Sequence, residues 1–228
     1  LSRHGLKTEM TGGSRTVSAA GRRGAPYLLR QARWAEASRL LENMIVRDSS
    51  PDTLAFAIPL LRQIVAATTG TERAAIDTGV LANALLNAGR HAEAEATLRQ
   101  GIADCVAQGN YRLASGMAGY LLNLLRTTGR LEEALTLAGE KVEYTRRAGL
   151  GSWTQLGDEC RRLQVLNALG RYAEVLARVE ELRPQMAVLP SAGDADETVN
   201  PWNVREGLLD TGRQAAQQLE RWAEALAL

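Results

Sequence analysis

The chain is poor in the residues from which most catalytic and metal sites are built. Its 228 residues contain two histidines, His4 and His91, and two cysteines, Cys105 and Cys160. They are scattered, so there is no metal-spaced cluster and no Cys/His pair. There is also no phosphate loop, no G-x-G-x-x-G opening a helix after a strand, and no G-x-S-x-G. The sequence therefore predicts no enzyme activity, no cofactor and no metal within this segment. Two cysteines on different predicted helices suit a reducing cytoplasm and two buried thiols better than a disulfide. No apolar run of eighteen residues and no signal peptide occurs, which predicts a soluble, cytoplasmic protein with no membrane partner.

Aromatic residues make up only 4% of the chain, with a single phenylalanine. The core must then be leucine, alanine and valine packed between helices, a composition that suits helices and not sheets. Formal net charge is +1, so the whole molecule presents no field that would recruit nucleic acid. Arginine far outnumbers lysine, which stands only at Lys7 and Lys141, and this bias carries no functional inference. Residues 1–40 are locally basic, with eight Arg or Lys against Glu9 and Glu36. Residues 1–13 within them, with Gly5, Gly12 and Gly13, read as an irregular leader: a disordered segment or linker, or else an arm for DNA or an acidic partner. The chain starts without methionine and stops at Leu228 inside a helix-like pattern, so a piece of a longer protein is expected.

What the chain does have is a repeat. Gly170-Arg171-Tyr172-Ala173-Glu174-Val175 recurs as Gly129-Arg130-Leu131-Glu132-Glu133-Ala134 and Gly89-Arg90-His91-Ala92-Glu93-Ala94. Two further copies, Arg33-Trp34-Ala35-Glu36-Ala37 and Arg221-Trp222-Ala223-Glu224-Ala225, have Ala32 and Glu220 in the glycine's place. Glycine ends a helix cheaply, and the next helix starts with a large residue and a glutamate in its first turn, where the helix dipole favours negative charge. A helix hairpin results, and the small residue closing each motif sits where two helices must approach closely. The arginines are spaced by 57, 40, 41 and 50 residues, which excludes heptads and fits a unit of two helices that must stack to bury its apolar face.

This pattern resembles the tetratricopeptide repeat (TPR), in its glycine at the turn, its large residue two places on and its alanine three further. The units are longer than the usual ~34 residues, and the closing proline is missing near Gly109 and Gly149. The resemblance implies an all-α fold over residues 14–228, an α-solenoid of antiparallel hairpins with a right-handed superhelix. The texture is also similar to the repeat regions of large actinobacterial signalling ATPases.

Helices are expected near 34–46, 51–68, 91–108, 111–128, 131–148, 152–169, 172–186, 201–219 and from 222, with another ending at Gly89. The first helix, interrupted by Gly21, Gly24 and Pro26, should be irregular before Tyr27. Pro59 should kink or break the helix at 51–68; a break would restore the alternation of turns, and without one that helix is an unpaired extra. Ser50-Pro51 and Asn200-Pro201 read as N-caps followed by proline, and Thr69 with Glu72 and Ser152 with Gln155 as capping boxes. The loop 187–199 carries Asp194, Asp196 and Glu197 without the spacing or central glycine of a calcium loop, and reads as solvated. His91 fills the large-residue place of its repeat, so packing accounts for it.

Six residues before the turn positions 89, 129, 170 and 220 stand Asn83, Asn123, Gln164 and Gln214. Arg126, Asn167 and Gln217 follow three residues later on the same helices. In TPR-like arrays these positions line the concave groove, so the resemblance implies a carboxamide row facing a bound segment. A carboxamide donates and accepts, and can pair with a peptide backbone whatever its side chains. Equally, the amides can bridge neighbouring helices. Trp153 and Trp202 are ligand anchors or packing over helix ends, and Arg205, Asp210 and Arg213, at helical spacing, can pair internally as readily as bind a ligand. The leading reading is a protein-protein or peptide-binding scaffold. The alternative is a sensor or regulatory segment of a larger signal-transduction ATPase or transcription regulator. Nucleic acid enters only through the basic leader, and self-association stays open.

Overall fold

The computed structural model describes residues 14–71, 73–193 and 195–227. The expected irregular leader, 1–13, lies outside the described residues. Eleven helices follow one another among the described residues, and no strand occurs there: α1 Ser14–Arg30, α2 Trp34–Arg47, α3 Pro51–Thr68, α4 Ala74–Asn87, α5 His91–Ala107, α6 Tyr111–Thr127, α7 Leu131–Arg147, α8 Ser152–Ala168, α9 Tyr172–Ala187, α10 Pro201–Gln218 and α11 Trp222–Ala227. They form two compact units, divided within α5 between Cys105 and Val106.

The repeated turns share one geometry. Gly89, Gly129 and Gly170 have φ of 68°, 76° and 76°, and Ala32 and Glu220 adopt the same left-handed conformation at 53° and 58°. In each, the following arginine's N–H reaches back to a carbonyl five residues earlier: Arg33 to Leu28, Arg90 to Leu85, Arg130 to Leu125, Arg171 to Leu166 and Arg221 to Ala216. The residue at positive φ donates to a carbonyl three residues earlier, which completes a Schellman ending and satisfies carbonyls that the helix cannot. That arginine's guanidinium then pairs with the glutamate three residues on, in Arg33–Glu36, Arg90–Glu93, Arg130–Glu133, Arg171–Glu174 and Arg221–Glu224. One residue beyond the glutamate, Ala37, Ala94, Ala134, Val175 and Ala225 are all buried, where the hairpin needs a small side chain.

In the first unit Leu41, Met44, Leu61, Ile64 and Leu85 form the centre of the core. Two expectations fail here. α1 is a continuous helix through Gly21, Gly24 and Pro26. A Cβ on Gly21 would lie 2.6 Å from the Met44 sulfur and one on Gly24 2.9 Å from Leu40 Cδ2, so the glycines let α1 press onto α2 rather than break it. Likewise α3 runs unbroken through Pro59. Pro59 and Ala55, whose carbonyl loses its partner, both lie on the exposed side, where that carbonyl is open to solvent. The alternation of turns is therefore not restored by a break, and α3 is an additional helix between the first hairpin and the next. Arg22, from the basic stretch, bonds Thr53 and stacks over Phe56. His91 is exposed, contrary to the packing role expected of it, because the first residue of α5 sits at the hairpin end.

The second unit packs around Trp153, Leu163, Val175, Leu182 and Leu208. Trp153 is buried, donates its indole N–H to the Pro190 carbonyl and carries Arg205 over its ring, whereas Trp202 is 70% exposed. Asn200 caps α10 as expected, through the Trp202 N–H. Ser152 and Gln155 do not form a capping box. Glu197 does the capping instead: its carboxylate accepts from the backbone N–H of Trp153 at 2.8 Å and of Thr154 at 2.7 Å, and from the Thr154 hydroxyl. The loop before α10 is thus tied to the start of α8 and its Glu197 is not a solvated charge, which corrects the sequence expectation; Asp194 lies outside the described residues. At the other proline start, Ser50 precedes Pro51 but the Asp48 carboxylate receives the Ser50 N–H and the Thr53 hydroxyl. Thr69 bonds back to the Val65 carbonyl at the end of α3, and Glu72, its expected capping partner, lies outside the described residues.

Replacing Ala32 or Glu220 by glycine should relieve the left-handed strain and stabilise the fold by about 1 kcal/mol each, read as a higher urea midpoint. Gly129→Ala, where a Cβ meets only open space, should cost about the same. Glu197→Ala should destabilise by about 1–3 kcal/mol, with Glu197→Gln in between, since the amide keeps one acceptor.

A carboxamide-lined cleft and a buried ion network

The carboxamide positions separate on folding. Asn83 lies on α4 in the first unit and is half-buried, its own amide oxygen accepting from Asn87. The other six lie in the second unit. Asn123 is exposed on α6 but does not line the cleft formed there. The remaining five converge: Arg126 of α6, Gln164 and Asn167 of α8, and Gln214 and Gln217 of α10 line a cleft of ≈ 710 Å³, with Asp210 and Tyr172 at its walls. Convergence follows from register, because the three helices end at equivalent turns and project the same face.

Part of this polar surface is already engaged. Asn167 Nδ2 donates to the Thr211 carbonyl at 3.1 Å, tying α8 to α10, so this amide bridges helices as the structural reading requires. Its Oδ1 is buried and has no hydrogen-bond partner. Gln164 accepts from Arg126 at 3.5 Å and points its NH2 at the Cys160 sulfur, a weak acceptor. Gln214 donates to Asp210, which also pairs with Arg213. Cys160, beneath the cleft, is buried, and burial raises its thiol above the ordinary value, so it is neutral there. The cleft thus offers acceptors and donors, with Arg126 and the Arg213-paired Asp210 as its fixed charges.

No protein-family model and no curated protein matches the chain. Solved structures do. A putative kinesin light chain from Podosopora anserina, described as nearly identical TPR-like repeats, superposes with a TM-score of 0.63 at 19% identity over 83% of this chain and 91% of that one. BtubC (BKLC) from P. vanneervenii superposes with a TM-score of 0.66 at 13% identity over 94% of this chain and 87% of that one. The fold is a TPR-like α-solenoid.

A TPR-like core is ordinarily apolar, and a polar network inside this one escaped sequence reasoning. Lys141 of α7 and Asp158 of α8 are 6% and 1% exposed, with Nζ 2.7 Å from Oδ1. Nζ also donates to Ser115 at 2.9 Å, Thr145 donates to Asp158, and Arg161 pairs with Asp158 from the rim. The one signal available in the sequence was that Lys141 is a lysine in a chain that otherwise uses arginine. Burial lowers the Lys141 pKa, and the Asp158 charge only partly opposes this.

Removing one member of a buried pair strands the other, so Asp158→Ala should cost about 3–5 kcal/mol in urea unfolding. The lowered lysine value sets a pH dependence. Between it and the ordinary ~10.4 the unfolded chain binds the extra proton, so stability from this group rises with pH. Urea midpoints of wild type measured from pH 8 to 10.5 should therefore rise relative to those of Lys141→Met.

Proposed function

We propose that this TPR-like chain is a protein-interaction scaffold and that the α6–α8–α10 cleft grips an extended peptide segment. One observation carries this reading: three consecutive first helices of the hairpins aim carboxamides and Arg126 into one cleft. A peptide backbone supplies N–H and C=O groups that the Gln217 and Gln214 amides can meet. Such contacts are indifferent to the ligand's side chains.

The magnitudes bound what the amides do. Three or four hydrogen bonds at a net ~0.5–1.5 kcal/mol each contribute about 2–6 kcal/mol. Micromolar binding needs about 8 kcal/mol. The balance falls to Arg126, which can meet a ligand carboxylate or carbonyl, and to the Tyr172 ring at the wall. Asn83 and Asn123, off the cleft, contribute nothing to this grip.

Peptides selected from a display library against the wild-type chain should lose about tenfold or more in affinity for the Gln214→Ala, Gln217→Ala double variant, with melting temperature unchanged, since two such bonds are worth ~1–3 kcal/mol. Selected peptides that bind the double variant as tightly as wild type would place the interaction away from this cleft. Asn167→Ala is the contrasting variant: it should lower stability, because its amide holds α8 to α10.

A further inference from the structure

We propose that a second cavity in the same unit binds the phosphate of a small phosphorylated ligand. The cavity, of ≈ 560 Å³, is formed by α6, α7, the start of α8 and the loop before α10, and shares no residue with the carboxamide cleft. Its size falls within the ~300–1,000 Å³ typical of small-molecule sites.

Three cationic side chains line it, Arg112, Lys141 and Arg161, and no carboxylate does among the described residues. Asp158 lies behind the wall, held by Lys141, Thr145 and Arg161. Glu197 is nearby but its carboxylate is taken up by the start of α8. Three cations against two local carboxylates, Asp158 and the helix-capping Glu197, leave the site one positive charge in excess, the sign that suits a phosphate anion. Arg112 is exposed and forms no ion pair with a described residue. Arg161 uses one guanidinium nitrogen on Asp158, so both arginines keep forked donors, the geometry that suits phosphate oxygens.

The wall is shaped as well as charged. Gly116 and Gly119 of α6 face the cavity; a Cβ on the first would meet nothing within 4 Å, and one on the second only Lys141 Cε at 3.5 Å. Without those side chains the anion can approach the buried ammonium, whose desolvation an incoming negative charge would offset. Leu113, Leu150 and Val199 supply an apolar side for the organic part of the ligand, which favours a monoester over free phosphate.

Titration calorimetry with phenyl phosphate and with inorganic phosphate, in chloride buffer of matched ionic strength, tests this. The expected result is saturable binding of phenyl phosphate, weaker binding of inorganic phosphate, and a loss of about tenfold or more in Arg112→Gln and Arg161→Gln, a charged contact being worth more than a neutral one. Arg112→Gln should melt like wild type, and the Gln214→Ala, Gln217→Ala variant should bind phenyl phosphate undiminished even if the peptide reading fails. The proposal is overturned if neither phosphate gives a saturable heat, if Arg112→Gln binds as tightly as wild type, or if inorganic phosphate binds as tightly as phenyl phosphate. Arg112-dependent binding of an acidic peptide without any of phenyl phosphate would also overturn it, making the cavity a peptide site.

Discussion

Every hairpin depends on a single residue held at positive φ. That residue ends one helix with a pair of reversed hydrogen bonds and hands the chain to the next helix within two residues. Because the handover is so short, the buried residue three positions into the new helix lies against the helix just finished, and it has to be small. The Arg–Glu pair across each start adds a surface tether that sets the arginine's direction. Turn, tether and small residue come as one six-residue cassette, and the helical faces that line the cleft inherit their register from it. Where the cassette lacks glycine, at Ala32 and Glu220, the fold holds the same conformation against its intrinsic cost.

The second unit departs from a plain apolar stack in two places, and both involve charge brought indoors. Glu197 reaches across forty-odd residues of sequence to cap α8, and Lys141 and Asp158 join α7 to α8 inside the packing. Each replaces interactions that a simpler repeat would make with leucine and alanine. Buried pairs of this kind are costly to desolvate and unforgiving of partial removal. Their presence beside a cavity lined by Arg112 and Arg161 gives that cavity a sign, while the neighbouring carboxamide cleft sets Arg126 against Asp210. The two surfaces in this one unit therefore differ in the charge they present.

Local pattern was readable wherever the physics is local. Helix ends at glycine, the proline starts at 51 and 201 and the small residue after each glutamate depend on neighbours within one or two turns, and they are in place. The failures share a cause: they needed a partner from elsewhere. Gly21 and Gly24 look like breakers until α2 lies against them. Pro59 looks like a break until its exposed side is known, and Ser152 looks like a cap until Glu197 arrives. For the site, spacing alone aligned the four carboxamides, but it could not show that Asn123 stays outside the cleft or that Asn167 is half committed to holding α10.

The sequence by itself determined the class of fold, an all-α run of hairpins, and the register of each first helix, because both follow from a motif whose parts interact within six residues. Only the tertiary structure decided which polar side chains remain available. Hydrogen-bond and charge partners are chosen by which helices meet in space, as Lys141 with Asp158 and Asn167 with Thr211 show, and periodicity along the chain carries no record of that choice.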